Sequence, residues 1–337
     1  MYKCVCACPD SGCRHVHIDT LTAGRVDKQK AALYNKSNKN FIFICRGFRQ
    51  KSALRREFGF PMKLAVASYS LHELVYKGKV NVFTYLNMIK HDFRVSHADI
   101  WSGMLTSLDE AYIQQIREEM DRLDIKLANL CVDGPYVWHP DPEQRAQHKA
   151  QMLEYIRAGR QLGAESIRID FGGANEEMTD EALQYLIDTF KEYCEICGQF
   201  QCKIGPETHW GWDRVPEYIK AVRDGVNSPW YGILYHIGNL SDVEAGEELC
   251  LEHCMHTHIH AKSICENAKD IVRRLMKKGY TGAYSVEHHS GVLEVERTHW
   301  QLASLREIIA EVQMEGLEPE EETKAYMSQL YAGERRA

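Results

Sequence analysis

Four short apolar segments in the second half of the chain each end in side chains that bind cations or move protons. The runs Pro206-Glu207-Thr208-His209, Tyr235-His236-Ile237-Gly238-Asn239, His258-Ile259-His260-Ala261-Lys262 and Val286-Glu287-His288-His289 set Glu207, His236, His260 and Glu287 at successive segment ends. Two carboxylates and two imidazoles are a competent donor set for a divalent metal ion. Carboxylates also take and return protons, so the same group suits general acid/base chemistry. One histidine alone would read as a satisfied core residue; four ligand types on successive segment ends read as a site. His256, His258 and His260 share one face, because side chains alternate along a strand with a period of two. His260 is the most C-terminal and so the nearest to a mouth, while His258 reads as a deeper residue, in the core or behind the ligands.

These ends meet only if the segments are parallel strands. Strand-like segments fall at 63–68, 97–101, 126–131, 166–171, 202–207, 231–236, 256–261 and 283–288. Between them run apolar stripes with helical spacing: Ile113, Ile116, Met120 and Leu123; Leu183, Leu186, Ile187, Phe190 and Cys194; Val215, Tyr218, Ile219 and Val222; and Leu302, Leu305, Ile309 and Val312. Asp109 and Thr179 suit helix N-caps, and Gly163 and Gly279 suit left-handed helix ends. Eight such units in about 250 residues predict an α/β fold, the (β/α)8 TIM barrel, whose chemistry sits at the C-terminal strand ends. An open doubly wound sheet would carry a Gly-rich loop after its first strand; Ser68-Tyr69-Ser70-Leu71-His72 follows here instead.

Charge divides the chain. Its 337 residues hold 41 Lys+Arg against 48 Asp+Glu, a net of −7, with 44% hydrophobic and 26% charged residues. That balance excludes a disordered or collagen-like chain. Residues 1–61 carry twelve basic side chains against Asp10, Asp19, Asp27 and Glu57, a net of +8 that leaves −15 for the remainder. This stretch holds Cys4, Cys6, Cys8, Cys13 and Cys45 without sustained periodicity, and reads as a low-order basic extension, with Met62 as a candidate true start. C-x-C-x-C-x4-C lacks the two-residue gaps of a zinc knuckle, and no signal peptide supports a secreted disulfide scaffold. The barrel is expected over 62–315, followed by an acidic tail, 316–337. The acidic barrel argues against a nucleic-acid partner. No run reaches the roughly 18–20 apolar residues of a membrane span. The later cysteines read as buried free thiols, Cys194 and Cys197 sharing one helix face, which points to a cytoplasmic setting.

The segments GAESIRIDFGG (163–173), IGPETHWGW (204–212), LYHIGN (234–239), HIHAKS (258–263) and GYTGAYSVEHH (279–289) resemble the xylose-isomerase-like TIM barrel superfamily of sugar isomerases and epimerases, inosose dehydratases and repair endonucleases. MKLAVASYSL (62–71) is similar to that family's first strand, and the resemblance spans residues 62–312. It implies metal ligands at Glu207, His236, His260 and Glu287. The family usually has Asp at the sixth-strand position; His236 raises the site's charge by one unit and favours manganese, cobalt or zinc over magnesium. The implied activity is a metal-dependent isomerase or epimerase acting on a sugar, sugar phosphate or cyclitol through a metal-stabilised enediolate, with Glu207 and Glu287 moving the proton. An inosose-dehydratase-like lyase is the alternative, ahead of a repair-endonuclease-like hydrolase or a non-catalytic sugar-binding barrel. The endonuclease branch needs further His and Asp ligands, which His236-Ile237-Gly238-Asn239 and Lys262-Ser263-Ile264-Cys265 do not supply. Substrate contacts are expected from His209, Lys262, Arg168, His288 and Trp210, with Trp101, Trp138 and Trp212 as further aromatic candidates; Arg168 can equally pair with Asp170. No nucleic-acid or membrane partner is expected. A homo-oligomer is compatible with the sequence, and no segment specifies one.

Overall fold

The computed structural model describes residues 62–315, so the expectations for 1–61 and 316–337 lie outside the described residues. Eight strands alternate with helices: β1 Leu64–Ala67, β2 His97–Trp101, β3 Lys126–Val132, β4 Ser166–Ile169, β5 Lys203–Gly205, β6 Ile233–His236, β7 Cys254–Ile259 and β8 Tyr284–Val286. The helices are α1 His72–Tyr76, α2 Val82–His91, α3 Glu110–Leu123, α4 Pro142–Leu162, α5 Asp180–Gly198, α6 Pro216–Val226, α7 Val243–Glu252, α8 Ala261–Glu266, α9 Ala268–Lys277 and α10 Glu294–Met314. All ladder pairs are parallel, in the order β5-β4-β3-β2-β1-β8-β7-β6. Parallel bridges Ile204↔Tyr231 and Glu207↔Leu234 close β5 onto β6. The predicted TIM barrel is the fold observed. Among the described residues, no helix is long and apolar enough to cross a membrane.

The helical stripes lie where their spacing placed them. Ile113, Ile116, Met120 and Leu123 are all buried on α3, and Leu302, Leu305, Ile309 and Val312 on α10. Thr179 caps α5 by accepting from Ala182 N at 3.1 Å, and Gly163 ends α4 in the left-handed region at φ 73°. Asp109 holds the N-cap position of α3 without a side-chain capping bond. Cys194 and Cys197 are buried free thiols. The helices press a continuous apolar layer against the outside of the barrel.

The inside differs. TIM barrel interiors are ordinarily filled by Val, Ile and Leu. Here Asp99 (β2), Asn129 (β3), Ser166 and Arg168 (β4), His256 and His258 (β7) and Ser285 (β8) are buried. Several bond between strands that are not neighbours in the sheet, such as β2 and β7, so their side chains meet across the interior. A packed polar interior is tolerable only when its groups find partners.

The β5–β6 closure carries Glu207 on its ladder: Leu234 N donates to Pro206 O at 2.8 Å and Thr208 N to Leu234 O at 3.1 Å. It also needs bare backbone, because a Cβ on Gly205 would overlap the Gly232 carbonyl. Gly205→Ala is therefore expected to destabilise the protein by about 1–3 kcal/mol through overpacking. A thermal melt should show the loss as a drop of several degrees; an unchanged melting temperature would mean that the closure does not depend on this approach.

Candidate active site

The mouth at the C-terminal strand ends holds a cavity of about 270 Å³, near the lower limit for a ligand site. β1 and its following turn supply Ala67, Ser68 and Tyr69; β2 and β3 supply Asp99, Trp101, Cys131 and Asp133; β4 and β5 supply Arg168, Glu207 and His209. His236, Asn239, Glu287 and His289 complete the wall.

Glu207 and Glu287 converge on one imidazole. His258 Nδ1 lies 2.8 Å from Glu207 Oε1 and 3.1 Å from Glu287 Oε2, and His258 Nε2 lies 2.9 Å from Asp99 Oδ2. An ionised carboxylate only accepts hydrogen bonds, so both ring nitrogens of His258 must carry protons. Burial opposes that charge, but Glu287, Glu207 and Asp99 together hold the ring's pKa well above the histidine range. Burial likewise opposes ionisation of Glu207 and Glu287; the His258 charge outweighs it, aided by His209 and Arg168 at Glu207 and by His289 at Glu287, and both carboxyls sit well below their usual range. Asp99 is held low by His256 and His258 against the same burial penalty. Its carboxylate accepts from His256 Nε2 at 2.8 Å, Ser285 Oγ at 2.8 Å and Asn129 Nδ2 at 3.0 Å.

His236 donates from Nδ1 to Glu207 Oε1 at 2.9 Å. Burial lowers its pKa, so the ring is neutral and its Nε2 keeps a free lone pair. Arg168 reaches Glu207 Oε2 with Nε at 2.9 Å, an ion pair off the line of a hydrogen bond. Buried polar atoms without a hydrogen-bond partner gather here: Glu207 Oε2, Glu287 Oε2, His236 Nε2, Arg168 Nε, His209 Nδ1 and Asp170 Oδ1. Two carboxylate oxygens held by ion pairs outside hydrogen-bond geometry and an imidazole nitrogen without a partner fit the donor preferences of a divalent ion. Glu207, His236, His258 and Glu287 each offer a ligand atom within 4.8 Å of the others.

His260 is outside that group. Its Nδ1 bonds Ser263 Oγ at 3.0 Å, its ring centroid lies 5.4 Å from that of His236, and burial lowers its pKa to about 4. Of the other expected residues, Arg168 and His209 line the cavity, and Arg168 also pairs with Asp170 at 3.0 Å. Trp210 is tied to Asp170 by its Nε1 at 3.2 Å and does not line the cavity. Lys262 lies on α8, largely exposed, with Glu266 at 3.9 Å and away from the cavity wall. His288 points aside to Val292 O and Ser290 Oγ, and His289 takes the wall position, with Nε2 2.8 Å from Glu287 Oε2. The sequence-based expectation names His288; counting by two from Glu287 would have found His289 instead. Asp99 carried a weaker signal, an acid in the middle of the strand HADIW. Asp133 and Tyr69 had none, being loop residues recruited by packing.

The family model described as a xylose isomerase-like TIM barrel matches residues 87–308. Among solved structures, a D-tagatose 3-epimerase-like protein is similar at TM-score 0.59 and 19% identity, over 74% of this chain and 99% of that one. 3-Keto-D-glucoside 4-epimerase YcjR from E. coli, in its apo form, is similar at TM-score 0.60 and 12% identity, over 74% and 100%. The IOLI protein, solved with a zinc atom, is similar at TM-score 0.58 and 14% identity, over 77% and 100%. At these identities the likeness establishes the fold alone. No curated protein matches the sequence.

The charge network fixes a pH dependence. Glu207 and Glu287 are depressed in the fold, so their contribution to stability is complete above the ordinary carboxyl value of 4.5 and is lost as pH falls through their folded values. His258 is raised, so its contribution is complete below the ordinary value of 6.5 and is lost as pH rises through its folded value. Thermal melts of metal-free protein should therefore fall on acidification below about pH 4.5, and less steeply in Glu207→Gln. Equal acid slopes in parent and variant would remove Glu207 from the network.

Proposed function

This chain belongs to the xylose isomerase-like TIM barrel family, and from that premise we propose that it is a divalent-metal-dependent isomerase or epimerase of a small sugar, sugar phosphate or cyclitol. The observation that carries the reading is the gathering of ligand-type atoms in a cavity of monosaccharide scale: His236 Nε2 has no hydrogen-bond partner, and Glu207 Oε2 and Glu287 Oε2 are held by ion pairs outside hydrogen-bond geometry. Glu207, His236 and Glu287 would hold the ion, with His260 as the fourth ligand, since its imidazole is neutral and stands beside His236. His258 is not a ligand in this reading, because both its nitrogens are protonated and committed to carboxylates. A divalent ion bound there would polarise substrate oxygens and stabilise the negative charge that develops when a proton leaves a carbon beside a carbonyl.

The chain's own residues do the rest. Glu207 and Glu287 stay ionised at neutral pH and reach the cavity from β5 and β8, so both are ready to accept a proton. Their depressed pKa values make them weak bases in the resting site, and a substrate that separates them from His258 would strengthen them. The charged His258 fixes the positions of both carboxylates, and Asp99 fixes His258 in turn. Tyr69 and Trp101, edge to face at 5.2 Å, offer ring surfaces to the C–H side of a sugar.

Two variant sets test this reading. Glu207→Gln and Glu287→Gln should each lower turnover of a responsive sugar by about 100-fold or more while the circular dichroism spectrum stays that of the parent. Full activity in either would remove that residue from the mechanism. Calorimetric titration of apo-protein with manganese should show clearly weaker binding for His236→Ala and retained binding for His236→Asp, which restores a carboxylate donor. Equal affinity for His236→Ala and parent would strike His236 from the ligands.

A further inference from the structure

We infer that the cavity selects uncharged polyhydroxy substrates and excludes their phosphate esters. This deepens the sugar reading above and rests on it.

The charge of the wall carries the inference. Asp99, Asp133, Glu207 and Glu287 line the cavity against one lining permanent cation, Arg168, and the buried imidazolium of His258 set among Asp99, Glu207 and Glu287. Nη1 and Nε of Arg168 are already committed. Arg168 Nη1 donates to Asp133 Oδ1 at 2.6 Å, Asp170 Oδ2 at 3.0 Å and Val132 O at 3.2 Å, while Nε faces Glu207 Oε2 at 2.9 Å. A phosphate that approached this guanidinium would meet the carboxylates of Asp133, Asp170 and Glu207 already gathered around it. Lys262 stands outside the wall with Glu266, and Arg214 gives its Nε to Asn239 O at 2.6 Å. The lining imidazoles bring no uncompensated charge either: His289 faces Glu287, His236 faces Glu207, and His209 stands 3.7 Å from both Asp170 and Glu207.

The remaining surface suits a neutral polyol. Carboxylates accept hydroxyl hydrogen bonds without asking for charge. Tyr69 stacks on His72 at 4.5 Å and meets Trp101 edge to face, and Trp101 Nε1 is anchored on Asp133 Oδ2 at 2.5 Å. Asp133 thus does two things at the mouth: it neutralises Arg168 and fixes the ring of Trp101.

The test uses the full chain in two arms. In the first, manganese-loaded protein is titrated calorimetrically with D-fructose, D-tagatose and D-xylulose, each against its terminal phosphate ester. The free sugars that bind should do so more tightly than their esters by about tenfold or more, since the bound ion's charge is matched by its ligands Glu207 and Glu287 and the ester phosphate still meets Asp133 on the wall. An ester that binds as tightly as its free sugar overturns the inference. The second arm needs no sugar. Metal-free parent and Asp133→Asn are titrated with inorganic phosphate, so that no bound ion draws the anion. The parent should show no saturation into the millimolar range, and Asp133→Asn, with Arg168 partly released, should gain about tenfold or more in affinity. Saturable phosphate binding by the parent, or no gain in the variant, overturns the inference. Failure of every sugar and ester to bind would count against the sugar reading instead, while the phosphate arm still decides the charge argument.

Discussion

The interior of this barrel is organised around one buried cation. His258 sits among Asp99, Glu207 and Glu287, and each of these charges would be prohibitively costly to bury alone. Their mutual placement ties β2, β5, β7 and β8 together at the level where the cavity begins. Arg168 repeats the device on β4, neutralising Asp133, Asp170 and Glu207 from the other side. The polar interior is therefore a charge lattice whose members hold each other in place. Its cost is offset because each of these carboxylates meets at least one imidazole or guanidinium.

The exceptions to that pairing matter most. A buried acceptor without a partner forfeits its hydration for nothing, so a cluster of such atoms marks a place completed by something else. His236 Nε2 is such an atom, and Glu207 Oε2 and Glu287 Oε2 beside it meet Arg168, His258 and His289 as ion pairs without hydrogen-bond geometry. His236 fits the same logic. With Arg168 and His258 already inside, a neutral imidazole supplies a donor without adding another carboxylate to the lattice. The wall that remains is acidic and aromatic, which suits hydroxyl groups and C–H faces and opposes anions.

Several neighbouring residues changed roles once their directions were known. His258 and His260 share a strand face, yet one is a committed imidazolium and the other is neutral with a hydroxyl partner, Ser263. His288 and His289 are adjacent, but the chain leaving β8 turns the first toward Ser290 and the second toward Glu287. Lys262 keeps the spacing of a strand-face residue, but α8 begins at Ala261, so the alternation that would have aimed it at the mouth has already ended. In each case local periodicity held as far as the strand did and failed where the chain turned.

The sequence by itself determined the barrel, because eight apolar segments and the helical stripes between them can be buried together in few other ways. It also pointed to the two glutamates and His236, since strand ends in a barrel share one mouth wherever the loops go, and all three line the cavity. Only the tertiary structure decided which charges pair. Asp99 and His258 are 159 positions apart, and no spacing rule connects them. Their protonation states, the ion pairs of Arg168 and the recruitment of Asp133 and Tyr69 to the wall follow from burial and from through-space distance. Those quantities come into being only when the barrel closes.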